Sequence, residues 1–171
     1  MERTVTLDAA RYDRLWRRHL DRLVFYAHTL LGDRAAAEDA VQSVFLRILD
    51  RGRLPDEATE ASYLFQAVRN AVSNELRSRH RARRAAESLF KPGAKDPREE
   101  AELTEFGRQI QAALEELPEE EREAVVLKTW GALSFPEAAA VTGVSDKTFE
   151  HRYYRGLESL KEKIGVRDEQ V

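Results

Sequence analysis

The chain has 171 residues, 35% of them charged and 42% hydrophobic, with no cysteine and a formal net charge of −3. The lack of cysteine excludes disulfides, thiolate zinc sites and cysteine nucleophiles, and the composition fits small helical units with large solvated faces. The first residues hold no apolar signal segment, and the longest apolar stretch, "LVFYAHTLL", is interrupted by His28 and too short to span a bilayer, so a soluble, cytoplasmic protein is expected, without a membrane partner.

Taken in order, "YDRLWRRHLDRLVFYAHTLLG" predicts a long amphipathic helix with Trp16, Leu20, Leu23, Val24, Ala27, Leu30 and Leu31 inward and Gly32 as its stop. Asp33 then caps a second helix, with Ala37, Val41, Val44, Phe45 and Ile48 inward and an end at Gly52. A polar loop containing Pro55 follows. The third helix, "ASYLFQAVRNAVSNELRSRHRARR", keeps an apolar stripe at Leu64, Val68, Ala71, Val72 and Leu76 and then becomes almost pure arginine. Residues 85–102 lose periodicity and contain Pro92, Gly93 and Pro97, the pattern of a flexible linker. The expected organisation is therefore all-α, with a helical domain over 1–84, a linker over 85–102 and a second helical domain over 103–171; no repeat, heptad array or strand pattern is visible.

In the second domain Pro118 opens one helix and Ser134 caps the next, with Pro136 in its first turn and Glu137 completing a capping box. Gly143 ends that helix and Ser145 caps the last one, whose inward stripe is Phe149, Tyr153, Leu157, Leu160 and Ile164. Two capped helices joined by "TGVS" form a helix-turn-helix, whose second helix turns Lys147, Glu150, His151, Tyr154, Arg155 and Glu158 outward.

Charge is unevenly spread: residues 1–84 hold 16 Lys and Arg against 12 Asp and Glu, and residues 85–171 hold 12 against 19. The basic excess concentrates at Arg69, Arg77, Arg79, Arg81, Arg83 and Arg84, a phosphate-attracting cluster. The acidic excess concentrates at "EELPEEERE", Glu115 to Glu123, where carboxylates near a helix N-terminus complement its dipole. The histidines, at 19, 28, 80 and 151, are scattered, and no carboxylate–histidine metal spacing or glycine-rich phosphate loop is present; neither catalysis, nor a cofactor, nor a metal is expected.

Three stretches together resemble the extracytoplasmic-function (ECF) sigma factors of the sigma-70 family: "AEDAVQSVFLRIL", "YLFQAVRNAVSNELRSRHRARR", and the run from "LPEEEREAVV" to "LESLKEKI". The resemblance implies a transcription initiation factor that binds core RNA polymerase at its clamp and flap regions, recognises promoter DNA at two elements, and is a target for an anti-sigma factor. It assigns Glu38, Asp39, Gln42 and Phe45 to polymerase docking, although Ala36 and Ala37 stand where members often carry a further acid. It assigns Tyr63, Arg69, Asn70 and Asn74 to reading of the −10 element, Arg77, Arg79 and Arg81 to its phosphates, and the loop from Arg53 to Glu60 to a pocket for an unstacked base.

For the −35 element it assigns Lys147, Thr148, Glu150, His151, Arg152 and Arg155. Glu150 departs from the usual Lys or Arg; it reads a cytosine, pairs with Lys147 along the helix, or marks a helix that meets the groove differently. Two alternatives share these helices: a sigma-like adaptor that engages an anti-sigma factor, and a helix-turn-helix regulator that binds duplex without polymerase.

Overall fold

The structure, a computed structural model, describes residues 4–85 and 105–165, so the expected linker lies outside the described residues apart from Ala85. Among the described residues seven helices are joined by one short ribbon: β1 (Thr4–Thr6), α1 (Ala9–Leu31), α2 (Arg34–Arg51), β2 (Arg53–Pro55), α3 (Glu60–Ala85), α4 (Glu105–Glu115), α5 (Glu119–Thr129), α6 (Phe135–Thr142) and α7 (Asp146–Lys163). None of the helices is long and apolar enough to cross a membrane.

The capping signals at Asp33, Ser134 and Ser145 act as read, and Asp8 adds one more. Asp8 accepts from the Arg11 amide at 2.7 Å and Asp33 from the Ala36 amide at 3.1 Å, starting α1 and α2. Between α6 and α7 the reciprocal Ser134–Glu137 box, Gly143 at φ 74° and the Ser145 cap build the turn of the helix-turn-helix. A left-handed residue is required there, and glycine adopts it without Cβ strain.

The ribbon is the addition to the predicted elements. Thr4–Thr6 pairs antiparallel with Arg53–Pro55, and Leu54, 1% exposed, anchors the loop expected to form the base pocket. At the loop's far end Glu60 is buried with His19, whose Nε2 lies 3.3 Å from Glu60 Oε1, and Arg11 and Arg18 approach the same carboxylate. Burial holds the His19 imidazole below its ordinary value of 6.5, with Arg22 and Arg18 acting the same way and Glu60 opposing. The unfolded chain therefore binds the extra proton first. Stability is full above 6.5 and falls as the pH drops through that value toward the folded one. Urea midpoints measured from neutral into acidic buffer show this fall for the wild type, and it flattens in His19→Gln.

Phe45, Leu64, Phe65, Val41, Leu23 and Tyr26 fill the first core. α3 spans 26 residues, roughly 39 Å at 1.5 Å per residue, and runs out of the bundle at Leu76, which is 39% exposed instead of completing the inward stripe. In the second unit Phe149, Leu160, Leu127 and Val125 lie at the centre. Gly156, not a branch of the predicted stripe, lets α7 touch α5: a Cβ there would lie 2.8 Å from Val125 Cγ2 and 3.0 Å from the Glu121 carbonyl oxygen.

The two units pack on each other. Phe25 and Trp130 rings stand 5.0 Å apart, and Arg22 donates to the carbonyls of Trp130 (2.7 Å) and Gly131. Those carbonyls belong to the end of α5, where the helix dipole favours a cation. The turn that presents them holds Ala132 at φ 49°, a conformation that costs an L-residue about 1–2 kcal/mol. Beside it, Glu123 Oε1 accepts from the Tyr26 hydroxyl at 2.6 Å and from Arg69 Nε at 2.8 Å. Burial, and then the neighbouring carboxylate, raises the Tyr26 hydroxyl well above the usual tyrosine range, so it stays a donor.

Candidate nucleic-acid and polymerase interfaces

On α2 the residues that the resemblance assigns to docking separate by face. Asp39 and Gln42 are exposed, and Glu38 is half-buried with an ion pair to Arg34 at 2.9 Å. Phe45 is not on the exposed face: it is fully buried against Trp16 and Tyr12 and holds the helix in place. Two residues missed in the sequence complete the outer face. Leu46 and Leu49 are 64% and 53% exposed, and they continue the line of Asp39 and Gln42 one and two turns on. Their spacing off the inward stripe was the available signal.

Between α2 and α3 a groove of ≈ 210 Å³ is lined by Tyr63, Gln66, Asn70, Arg47 and Arg51 with aliphatic neighbours. Arg51 reaches the Tyr63 hydroxyl at 3.4 Å. An aromatic ring, two amides and two guanidinium groups thus share one concave surface; Arg47, Arg51 and Gln66 were not singled out in the sequence. Asn74 follows as an exposed acceptor for Arg77 at 3.2 Å. Arg77, Arg81, Arg83 and Arg84 are exposed on the protruding end of α3. Arg79 is tied down, donating to Glu75 at 2.8 Å and Asp33 at 3.0 Å. Arg69 is a correction of placement: it points away from Tyr63 and Asn70 into the interface between the units, where Glu123 holds it with bonds of 2.8 and 3.4 Å.

On α7 the first turns present Lys147, Thr148, Glu150 and His151 to solvent. Among the described residues Lys147 and Glu150, both exposed, form no ion pair, and that pairing is one of the three readings of this carboxylate. Arg152 and Arg155 lie on the flank toward α5 and pair with Glu120 at 2.7 Å and Glu121 at 3.2 Å.

Residues 15–82 match the family described as Sigma-70 region 2, and residues 107–160 match Sigma-70, region 4. The chain is 34% identical over 157 residues to the ECF RNA polymerase sigma factor SigE of Mycolicibacterium smegmatis, covering 90% of this chain and 61% of that one. It is 30% identical over 162 residues to the RNA polymerase sigma factor CarQ of Myxococcus xanthus, covering 90% and 89%. The chain belongs to the sigma-70 family, in its ECF branch.

The fold of an ECF sigma factor recurs in solved structures. The sigma factor RpoE from Bartonella quintana, in complex with the anti-sigma factor NepR, superposes with a TM-score of 0.71 at 24% identity over 91% of this chain and 97% of that one. CnrH, in complex with the cytosolic domain of CnrY, gives a TM-score of 0.63 at 20% identity over 94% and 92%. In this sigma factor region 2 contains the α2 face and the α2–α3 groove, and region 4 contains the helix-turn-helix. The chain spans about three fifths of the length of SigE.

Proposed function

We propose that this sigma factor docks on core RNA polymerase through the outer face of α2, captures a non-template base of the −10 element in the α2–α3 groove, and reads the −35 element with the first turns of α7. The domain division follows: residues 1–84 handle docking and melting, 85–102 link, and 103–171 recognise the upstream element. The observation that carries the reading is the groove. Capture of an unstacked base needs a stacking plane and polar groups at its edges, and phosphate tracking needs cations nearby. Tyr63, Asn70, Gln66, Arg47 and Arg51 supply the first, and Arg77, Arg81, Arg83 and Arg84 continue into the second. The protein does no chemistry of its own; it positions polymerase and DNA.

On α7, Glu150 is exposed beside His151. With no partner on its own helix at Lys147, its groove role is acceptance from a cytosine amino group. For an anti-sigma partner, the surface with room is a groove of ≈ 430 Å³ between α1 and α2, lined by Trp16, Leu20, Val24 and Phe25 and bordering Glu38 and Gln42. Such a partner competes with polymerase for one side of α2.

The test is comigration of the chain with bacterial core polymerase, followed by transcription from promoter-bearing fragments of the source genome. Specific initiation is expected. A folded chain that neither comigrates nor initiates overturns the reading and favours the polymerase-independent regulator. Leu46→Glu with Leu49→Glu is expected to weaken polymerase association at least about tenfold, since it places two charges in an apolar contact, while the melting temperature stays near that of the wild type because both side chains are exposed.

A further inference from the structure

Three of the guanidinium groups that the sequence assigns to promoter DNA end on carboxylates of a single helix. Arg152 pairs with Glu120, Arg155 with Glu121, and Arg69 with Glu123. All three acids belong to the first two turns of α5. Complementing the helix dipole accounts for Glu119, Glu120 and Glu121, which lie in the first turn. It does not account for Glu123, which lies in the second turn and is 7% exposed. A carboxylate in that position costs stability unless it is paired and hydrogen-bonded, and here Tyr26 and Arg69 do both from the other unit.

A carboxylate and a phosphate are both oxyanions that take two parallel N–H donors from one guanidinium, so an arginine held by one is unavailable to the other. We propose that the acidic turns of α5 are an internal phosphate mimic, which occupies Arg69 of region 2 and Arg152 and Arg155 of region 4 and competes with DNA for them in the free chain. This rests on the promoter-binding reading above. The contributions are unequal. Arg155 is 64% exposed and its pair is weak. Glu123 is the strong member, because its two partners come from α1 and α3 and it fastens region 4 against region 2.

The test uses the full chain and a mixed-sequence DNA duplex, with binding followed by anisotropy over a series of salt concentrations. Glu120→Gln, Glu121→Gln and Glu123→Gln together keep the side-chain shapes and remove the charges. The triple variant is expected to bind the duplex at least about tenfold more tightly at low salt. Each freed guanidinium that reaches a phosphate steepens the slope of log K against log salt by about 0.9, so by about 2.7 for all three. Glu123→Gln alone is expected to steepen it by about 0.9, and serves if the triple variant melts early. The control is Asp21→Asn with Asp50→Asn and Glu162→Gln, the same change of charge at exposed positions away from α5 and from the first turns of α7. Equal slopes for control and triple variant, or no change in either α5 variant, overturn the mimic. Failure of the promoter-binding reading looks different: the wild type with core polymerase then selects no promoter, whatever the titrations of the chain alone give.

Discussion

Phe45→Ala lowers the unfolding free energy by about 3–5 kcal/mol. The ring is fully buried, edge-on to Trp16 at a centroid distance of 4.8 Å and to Tyr12 at 6.1 Å. Truncation leaves a cavity between α1 and α2 that those two rings cannot close without leaving their own contacts. Urea denaturation measures the loss directly. Its neighbour gives the contrast: Leu46→Ala, 64% exposed, stays within about 0.5 kcal/mol of the wild type and acts on polymerase association instead. A Phe45→Ala chain that keeps its stability and loses polymerase would return Phe45 to the docking surface that the family resemblance assigns it.

Gly156→Leu is the second large effect, at about 3 kcal/mol or more. The first side-chain carbon alone meets Val125 Cγ2 at 2.8 Å and the Glu121 carbonyl at 3.0 Å, and the carbonyl cannot move without breaking the start of α5. The better helix propensity of leucine returns only about 0.8–1 kcal/mol. The helices must separate, which carries the reading helix away from its support and parts Arg152 and Arg155 from Glu120 and Glu121. Far-ultraviolet circular dichroism is expected to show an earlier melt, and binding to −35 duplex is expected to fall with it. Gly156→Ala, with the same first atom and no further branch, gives a smaller shift; equal melting of Gly156→Leu and wild type would mean that α5 and α7 do not lie this close.

The helices were legible because their signals are local. Asp33, Ser134, Gly143 and Ser145 each act within four residues of themselves, and the inward stripes repeat often enough to be seen. The ribbon was not legible: three residues per strand are too few to show alternation, and Pro55 reads as a breaker although it ends the edge of a two-stranded pair. Lys147, Glu150 and His151 are exposed on α7 as the helical period reads them, and Asn70 and Asn74 are exposed on α3. The direction of Arg69 was not legible, because its side chain is held by Glu123, 54 residues away. Of Tyr26 and Glu123, 97 residues apart, the first lies off the inward stripe read for its helix and the second is one member of an acidic run. Nothing in either local pattern announces a partner on another unit, and the same holds for His19 and Glu60.

The packing of Phe25 on Trp130 has a spectroscopic consequence. The chain has two tryptophans, and they report on different places: Trp16 packs on Phe45 inside region 2, whereas Trp130 lies at the contact between regions 2 and 4. An indole half-covered by a neighbouring ring emits at a different wavelength from one in water. Trp16→Phe therefore leaves a single tryptophan, on the seam, and its selectively excited emission follows separation of the two regions without any attached dye.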